Sequence, residues 1–146
     1  MKIAVVGTGY VGLASAVLLA QHNEVVALDI DTERVAMINQ GESTVEDVGL
    51  EKFLKEKNLN LVATTDNKLA YIGASYVIVA TPTDYDSDTN KFDTNSVDTV
   101  VADASRINPE AIIVIKSTIP VGHTRQLREK WRAKNVIFSP EFLREG

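Results

Sequence analysis

The chain contains no cysteine among its 146 residues. This absence excludes a disulfide framework, a zinc site built from thiolates and a cysteine nucleophile within these residues. Histidine is also scarce, because His22 and His123 are the only two and neither has a partner at a metal-ligand spacing. We therefore expect no metal site and no chemistry that needs a thiolate in this chain.

Basic residues are in the minority, with 15 lysines and arginines against 20 aspartates and glutamates, and the net charge is −5 at pH 7. No basic stripe runs along the chain, so nucleic acid is not expected as a partner. The hydrophobic fraction of 45% and the charged fraction of 24% are ordinary for one globular domain with its own core.

Charge is absent from residues 3–20, a stretch whose 18 residues reach the lower limit of a membrane span and resemble a signal peptide. Three glycines interrupt its apolar character, and Lys2 is its only basic flank. A strand-like run that leads to Asp29 and Asp31 follows it. We therefore expect a domain without a membrane segment, located in the cytoplasm.

The same stretch carries the strongest motif of the chain. An apolar run, Ile3–Val6, has the length of a buried parallel strand, and Gly7, Gly9 and Gly12 follow it at the spacing G-x-G-x-x-G. The first glycine allows a tight turn, the second lets a phosphate approach the backbone, and the third lets the next helix pack on the strand. The N–H groups and the dipole at that helix start favour a pyrophosphate.

An acidic residue stands where such a motif needs one. The second predicted strand, Glu24–Leu28, ends at Asp29, which lies 17 residues after Gly12, near the roughly 20 residues typical of the acid that binds the adenosine ribose. A carboxylate accepts hydrogen bonds from a 2′-hydroxyl and repels a 2′-phosphate, so NAD is expected rather than NADP. Arg34 offers the alternative of a phosphate contact, but beside Asp29 we interpret it as a flank to the adenosine.

Short β-branched runs alternate with helical patterns along the whole chain. The predicted strands are Ile3–Val6, Glu24–Leu28, Leu61–Ala63, Tyr76–Ala80, Ile112–Ile115 and Val136–Phe138. A polar loop, 84–94, precedes an amphipathic helix capped by Asn95, and Pro120 is expected to open the next helix. The alternation predicts an α/β fold, namely a Rossmann-type doubly wound parallel sheet of six or more strands with helices on both faces.

In such sheets, ligands bind at the carboxyl ends of the strands. The residues that stand at or just beyond the predicted strand ends are Gly7, Asp29, Thr83, Thr118 and Glu141. The two threonines are also common in ordinary turns and caps, and Glu141 is also explained as the acid at a helix start after Pro140. The topology alone therefore indicates these positions as candidates, and it does not distinguish a residue that contacts a ligand from one that only stabilises a turn or a helix cap.

Alternating acids in the loop 84–94 resemble the start of a calcium-binding loop. Asp84, Asp86 and Asp88 have the right alternation, but Thr89 stands where glycine is needed and Asn95 stands where glutamate is needed. We therefore interpret the segment as a solvated loop that borders the site.

Four motifs occur in series and are specific together. They are Gly-Thr-Gly-Tyr-Val-Gly at 7–12, Thr-Pro-Thr at 81–83, Lys-Ser-Thr-Ile-Pro-Val-Gly at 116–122 and Ser-Pro-Glu-Phe-Leu-Arg-Glu-Gly at 139–146. The whole chain resembles the amino-terminal NAD-binding domain of the nucleotide-sugar dehydrogenase family. The resemblance implies oxidation of the C6 alcohol of a nucleotide sugar to a carboxylate, with two NAD molecules reduced. UDP-glucose is the favoured substrate and GDP-mannose is the alternative; a non-catalytic NAD-binding module is the rival of another class.

The resemblance also implies roles for the residues of the cofactor site. The pyrophosphate turn is expected to be lined by Gly7, Gly9, Tyr10, Val11 and Gly12. Asp29 is expected to hold the adenosine ribose, with Arg34 beside it. Thr83 and Thr118 are expected to contact the cofactor near its nicotinamide half.

Further roles follow from the resemblance on the substrate side. The segment expected to face the substrate consists of Glu141, Phe142, Leu143, Arg144 and Glu145. Within it, Glu141 is the candidate for proton handling during hydrolysis, and Glu145 is also a candidate cofactor contact. Thr118 is expected to help position the hydrolytic water.

In the family that the chain resembles, the catalytic cysteine and lysine belong to a later domain, and a central helix builds a homodimer. The resemblance therefore implies that residues 1–146 are the NAD-binding part of a longer homodimeric protein. We expect the isolated chain to bind NAD without completing the oxidation.

Overall fold

Short apolar runs form a six-stranded parallel sheet in the computed structural model, which describes residues 1–142. The strands of this sheet are β1 (Lys2–Val6), β2 (Glu24–Leu28), β3 (Leu61–Thr64), β4 (Tyr76–Val79), β7 (Ile112–Ile115) and β8 (Val136–Phe138). Their order is β3-β2-β1-β4-β7-β8. Since β1 is central, Val5 pairs with Ala27 on one side and with Ile78 on the other.

Helices cover both faces of the sheet, as the doubly wound fold predicts. They are α1 (Tyr10–Ala20), α2 (Thr32–Asn39), α3 (Val48–Glu56), α4 (Asn67–Tyr71), α5 (Asn95–Ile107) and α6 (His123–Trp131). Side chains alternate across a strand, so Ile3 and Val5 pack with α1 while Ala4 and Val6 belong to the core beneath α4, α5 and α6. Within residues 1–142, no helix is long and apolar enough to cross a membrane.

Aspartates begin three of the helices. Asp31 accepts hydrogen bonds from the backbone N–H groups of Glu33 and Arg34, and so starts α2. Asp47 caps α3 and Asp66 caps α4 in the same way. Such caps satisfy backbone donors that have no partner inside the helix, and each is worth about 1 kcal/mol.

The prediction that Pro120 opens the last helix is wrong, because α6 begins at His123. Gly122 precedes it with φ of +86°, a left-handed conformation that cannot continue a right-handed helix. The backbone N–H of His123 donates to the carbonyl of Pro120 at 3.1 Å, so the proline belongs to a separate turn.

The polar loop 84–94 contains a small hairpin that the sequence pattern did not predict. Strand β5 (Tyr85–Asp86) pairs antiparallel with β6 (Lys91–Phe92). The rings of Tyr85 and Phe92 meet edge to face with their centroids 5.1 Å apart. Asp86 stabilises the turn, because backbone N–H groups of Asp88 and Thr89 and the Thr89 hydroxyl donate to its carboxylate and lower its pKa.

Candidate cofactor site

The carboxyl ends of the parallel strands open into a cleft of about 1200 Å³. Its lining includes the predicted site residues Gly7, Gly9, Tyr10, Val11, Asp29, Arg34, Thr83, Thr118 and Glu141. Gly12 lies buried beneath this surface, in the first turn of α1. The cleft therefore collects residues from the ends of β1, β2, β4, β7 and β8, as the topological argument requires.

Two of the three glycines are required by close packing. A Cβ at Gly12 would lie 1.8 Å from the carbonyl oxygen of Gly7, and a Cβ at Gly7 would lie 2.6 Å from the carbonyl oxygen of Ala80. Gly7 also has φ of +90°, which side-chain-bearing residues rarely adopt. The approach at Gly12 holds α1 tightly against the end of β1, and the approach at Gly7 holds the end of β1 against the residue that follows β4.

Gly9 differs, because a Cβ at this position would meet nothing within 4 Å. Gly9 is the N-cap of α1, where no side chain of the described residues caps the helix and no acid occupies the first turn. The helix start thus offers backbone N–H groups and a positive dipole end to open space in the cleft. A pyrophosphate fits this arrangement, because it brings negative charge and needs no side chain to be moved.

Asp29 is bound to the glycine turn, which the sequence did not reveal. The backbone N–H of Thr8 donates to Asp29 Oδ2 at 2.9 Å, and the Thr8 hydroxyl donates to the same oxygen. The N–H of Asp31 donates to Asp29 Oδ1 at 3.0 Å. Since a carboxylate has about four acceptor positions, these three bonds leave Asp29 able to accept from a ribose hydroxyl.

Arg34 shares the cleft with Asp29 but pairs with a different acid. Its Nε lies 3.8 Å from Asp31 Oδ2, and the Arg34 side chain remains 41% exposed. An exposed pair at this distance holds an arginine only weakly. The structure thus brings Arg34 to the same cleft as Asp29, and the predicted roles of both residues at the adenosine stay predictions.

The irregular segment 42–48 packs against the glycine turn. The hydroxyl of Thr44 donates to the backbone carbonyl of Thr8. Thr44 and Val45 both line the cleft, and Val45 is half-buried. This wall of the site was not predicted, since neither residue belongs to a helix or a strand.

Hydrogen bonds join the strand ends on the other side of the cleft. The Ser117 hydroxyl donates to the carbonyl of Thr81 at 2.6 Å, which ties the end of β7 to the end of β4. Lys116 Nζ donates to the hydroxyl of Ser139 at 3.0 Å, which ties the end of β7 to the end of β8. These bonds fix the loops that carry Thr83 and Thr118, both of which line the cleft.

The segment 141–145, which is predicted to face the substrate, lies partly within the described residues. Glu141 lines the cleft and is half-buried. Phe142 is 94% exposed. The predictions for Leu143, Arg144 and Glu145 fall outside the described residues 1–142.

His123, which had no partner at a metal-ligand spacing in the sequence, has a carboxylate partner in the fold. Its Nε2 lies 2.6 Å from Asp98 Oδ1, and its side chain is 13% exposed. The pair joins the start of α6 to α5. The two residues lie 25 positions apart along the chain, so no local sequence pattern predicts this contact.

A sheet of this order, with a glycine turn after its central strand and an acid at the end of the neighbouring strand, defines a Rossmann-type dinucleotide-binding domain. Residues 1–146 match the family model described as the UDP-glucose/GDP-mannose dehydrogenase family, NAD binding domain. The chain belongs to this family, and NAD is its cofactor.

Two relatives cover the full chain. The UDP-glucose 6-dehydrogenase of Streptococcus pneumoniae is 51% identical over 146 residues, which are 100% of this chain and 37% of the relative. The UDP-glucose 6-dehydrogenase of Campylobacter jejuni is 47% identical over 148 residues, 100% of this chain and 38% of the relative. The chain thus spans under two-fifths of the length of these curated relatives.

Solved structures share the fold. A GDP-mannose dehydrogenase from Pseudomonas aeruginosa superposes with a TM-score of 0.86 at 29% identity, covering 99% of this chain and 37% of that one. A UDP-glucose dehydrogenase from Pyrobaculum islandicum superposes with a TM-score of 0.87 at 28% identity, and the superposition covers 99% of this chain and 37% of that one. The predicted fold class and the predicted cofactor are therefore confirmed.

Substitution of Thr8 tests the link between the glycine turn and the acid. We expect Thr8→Val to weaken NAD binding by about tenfold, because the loss of one hydrogen bond to a charged group costs roughly 1.5 kcal/mol and frees the Asp29 carboxylate to turn away. Isothermal titration calorimetry with NAD measures the change. The control is Thr124→Val, which makes the same substitution on α6 at a position that does not line the cleft. Equal NAD affinities of the unmodified chain and of both variants would contradict the role of Thr8.

Proposed function

We propose that this chain is the NAD-binding part of a UDP-glucose 6-dehydrogenase, which oxidises the C6 alcohol of UDP-glucose to the carboxylate of UDP-glucuronate. Two hydrides leave carbon 6 for two NAD molecules, and water supplies the second carboxylate oxygen. The observation that carries the proposal is the identity of 51% and 47% to UDP-glucose 6-dehydrogenases over the full chain. The cleft with its glycine turn supplies the cofactor half of that site.

In this proposal the adenosine end of NAD lies at the β1 and β2 ends of the cleft. Backbone N–H groups of Gly9, Tyr10 and Val11 hold the pyrophosphate, supported by the open space at Gly9 and the uncapped start of α1. Asp29 accepts hydrogen bonds from the ribose, and Arg34 flanks it. Asp29 also repels a 2′-phosphate, so the site selects NAD over NADP.

The nicotinamide end lies at the β4, β7 and β8 ends, where NAD when bound supplies the hydride acceptor. Thr83 and Thr118 orient this half, supported by their shared lining of the cleft and by the hydrogen bonds that fix their loops. Thr118 also holds the hydrolytic water, for which its hydroxyl is both donor and acceptor. Glu141 takes the proton from that water, as a half-buried carboxylate in the same cleft.

A second candidate substrate is GDP-mannose. The observation that favours it is the superposition on the Pseudomonas aeruginosa GDP-mannose dehydrogenase, whose TM-score of 0.86 is close to the 0.87 of the UDP-glucose enzyme. The identity to UDP-glucose 6-dehydrogenases is higher, which favours UDP-glucose. Turnover of the full-length protein with each nucleotide sugar separates the two, and turnover with neither would favour a non-catalytic NAD-binding module.

The chain covers only 37% and 38% of the length of these two relatives, which supports a division of labour between this chain and another part of the protein. In the proposal, another part of the protein supplies the catalytic cysteine and lysine and the central helix of a homodimer. Residues 1–146 supply the contacts to the cofactor and part of the contacts to the substrate, including those proposed for Phe142, Leu143, Arg144 and Glu145.

We expect the isolated 146-residue chain to bind NAD and yet produce no NADH from UDP-glucose, because it contains no cysteine to hold the aldehyde intermediate. Calorimetry measures the binding, and NADH fluorescence measures turnover. The full-length enzyme of Streptococcus pneumoniae is the positive control for the assay. Sustained NADH production by the chain alone would refute the division of labour, and absence of NAD binding would refute the cofactor site.

A further inference from the structure

A hydrogen-bonded polar cluster lies in the cleft beyond the glycine turn and the ribose-binding acid. Asn67 begins α4, and its Nδ2 donates to Asp103 Oδ2 on α5 at 3.1 Å. Arg106 donates from its NH2 nitrogen to the other oxygen, Asp103 Oδ1, at 3.2 Å. Asn67 and Asp103 both line the cleft, although none of the cofactor contacts described above uses them.

The carboxylate fixes which way the Asn67 amide points. An ionised carboxylate only accepts hydrogen bonds, so the amide must turn its NH₂ group toward Asp103. Asp103 is itself held from two sides, by Asn67 and by Arg106. The amide keeps its carbonyl oxygen and one N–H for another partner, which form an acceptor beside a donor.

Adenine carries the complementary pair. Its exocyclic amine is a donor that stands beside a ring-nitrogen acceptor, and asparagine amides bind this edge with two hydrogen bonds. A 6-oxo purine replaces the amine with an acceptor, which faces the amide carbonyl as a second acceptor. An amide held in one orientation therefore distinguishes the two kinds of base.

The strand ends bring this amide close to the acid that binds the ribose. The N–H of Asp29 donates to the carbonyl of Thr64 at 3.2 Å, which ties the end of β2 to the end of β3. Asn67 follows Thr64 in the next turn of the chain, and adjacent strands lie about 4.8 Å apart. A base attached to a ribose at Asp29 thus reaches the position of Asn67.

The walls around the amide suit an aromatic ring. Tyr71 and Val100 line the cleft here, with 1% and 8% of their surfaces exposed. Burial, and after it the nearby Asp103 carboxylate, raises the pKa of the Tyr71 hydroxyl well above its ordinary value, so the hydroxyl stays neutral. Tyr71 and Val100 therefore give this part of the cleft an aromatic ring and an apolar side chain, and neither of them carries a charge.

We propose that Asn67, held in one orientation by Asp103, recognises the adenine base of NAD through a bidentate hydrogen-bond pair and is a determinant of base specificity. Asp103 acts as its positioning residue. The inference deepens the proposed function and rests on its assignment of the adenosine half to the cleft beside Asp29.

The test compares NAD with nicotinamide hypoxanthine dinucleotide, which differs by an oxo group in place of the amine. We expect the unmodified chain to bind NAD more tightly by about 5- to 150-fold, as one bidentate base contact implies. Asn67→Leu should reduce this ratio to about one, mainly by weakening NAD binding. The control is Asn58→Leu, at an exposed position that does not line the cleft, and it should keep the affinity ratio of the unmodified chain.

Asp103→Asn provides a second, independent variant. An amide at position 103 accepts or donates equally well, so Asn67 is no longer held in one orientation and the ratio should fall to an intermediate value. Thermal melting identifies any variant that fails to fold, and if Asn67→Leu fails, the Asp103→Asn ratio alone decides. A purely structural role would weaken both dinucleotides equally and leave the ratio unchanged.

An unchanged ratio in the folded variants, or no preference in the unmodified chain, would overturn the inference. Gly9→Val separates this failure from failure of the proposed function. If Gly9→Val keeps its NAD affinity, the assignment of the dinucleotide to this cleft is itself wrong. If Gly9→Val loses NAD binding while Asn67→Leu keeps the affinity ratio of the unmodified chain, the dinucleotide does bind in this cleft and only base recognition by Asn67 is wrong.

Discussion

Gly9→Val is expected to lower the affinity for NAD by about 100-fold or more while the chain still folds. Valine would place its branched side chain in the open space above the start of α1, where a Cβ meets nothing within 4 Å. It would therefore exclude the pyrophosphate without disturbing the protein. Losing two charge-assisted hydrogen bonds costs roughly 3 kcal/mol, which corresponds to this change in affinity.

Calorimetry with NAD measures the effect, and circular dichroism checks that the helices and the melting transition remain. Leu18→Val places the same residue on an exposed position of the same helix, where Leu18 is 67% exposed, and should bind NAD normally. Normal binding by Gly9→Val would show that the pyrophosphate does not rest on this turn.

Gly12→Ala is expected to destabilise the fold itself, by about 3 kcal/mol or more. The added Cβ would lie 1.8 Å from the carbonyl oxygen of Gly7. Backbone atoms cannot yield as a flexible side chain does, so α1 must move away from the end of β1. The buried side chains Leu13, Ala16 and Val17 on α1 would lose packing in consequence.

Urea unfolding at equilibrium measures this loss. Gly49→Ala is the matched control, because Gly49 lies in the exposed helix α3 and its Cβ would approach only the Asp47 side chain. We expect that control to change stability by less than about 1 kcal/mol. Equal stability of the two variants would mean that the close approach of helix and strand is not required.

The fold was predictable because its signals are local. Each sheet strand is a short apolar run, and each helix after α1 has a periodic apolar face or an aspartate cap, so order and type follow from neighbouring residues. Helix α1 is apolar around its whole circumference and was predicted from the glycine motif before it. The hairpin of β5 and β6 was missed because two-residue strands show no alternation. The start of α6 was predicted wrongly because proline is common both at a helix start and in a turn. The left-handed φ of Gly122, which the sequence does not reveal, decides between the two.

The site was predictable to the extent that strand ends meet at one edge of a parallel sheet. Gly7, Asp29, Thr83, Thr118 and Glu141 line one cleft, as that rule requires. Contacts between distant positions could not be predicted, since no local pattern signals them. The bonds of Thr8 to Asp29, of Thr44 to Thr8 and of Asn67 to Asp103 are of this kind, and they join residues that line the cleft.

The Thr8–Asp29 bond has a consequence for engineering this domain toward NADP. The obvious first step, removing the carboxylate that repels the extra phosphate, would also remove the acceptor that anchors the loop at Thr8. In the proposed site, one side chain serves both selectivity and architecture, so we expect a single substitution of Asp29 to weaken the binding of NAD and NADP alike. A successful redesign has to install a replacement anchor for the Thr8 amide and hydroxyl before it introduces a cation for the phosphate.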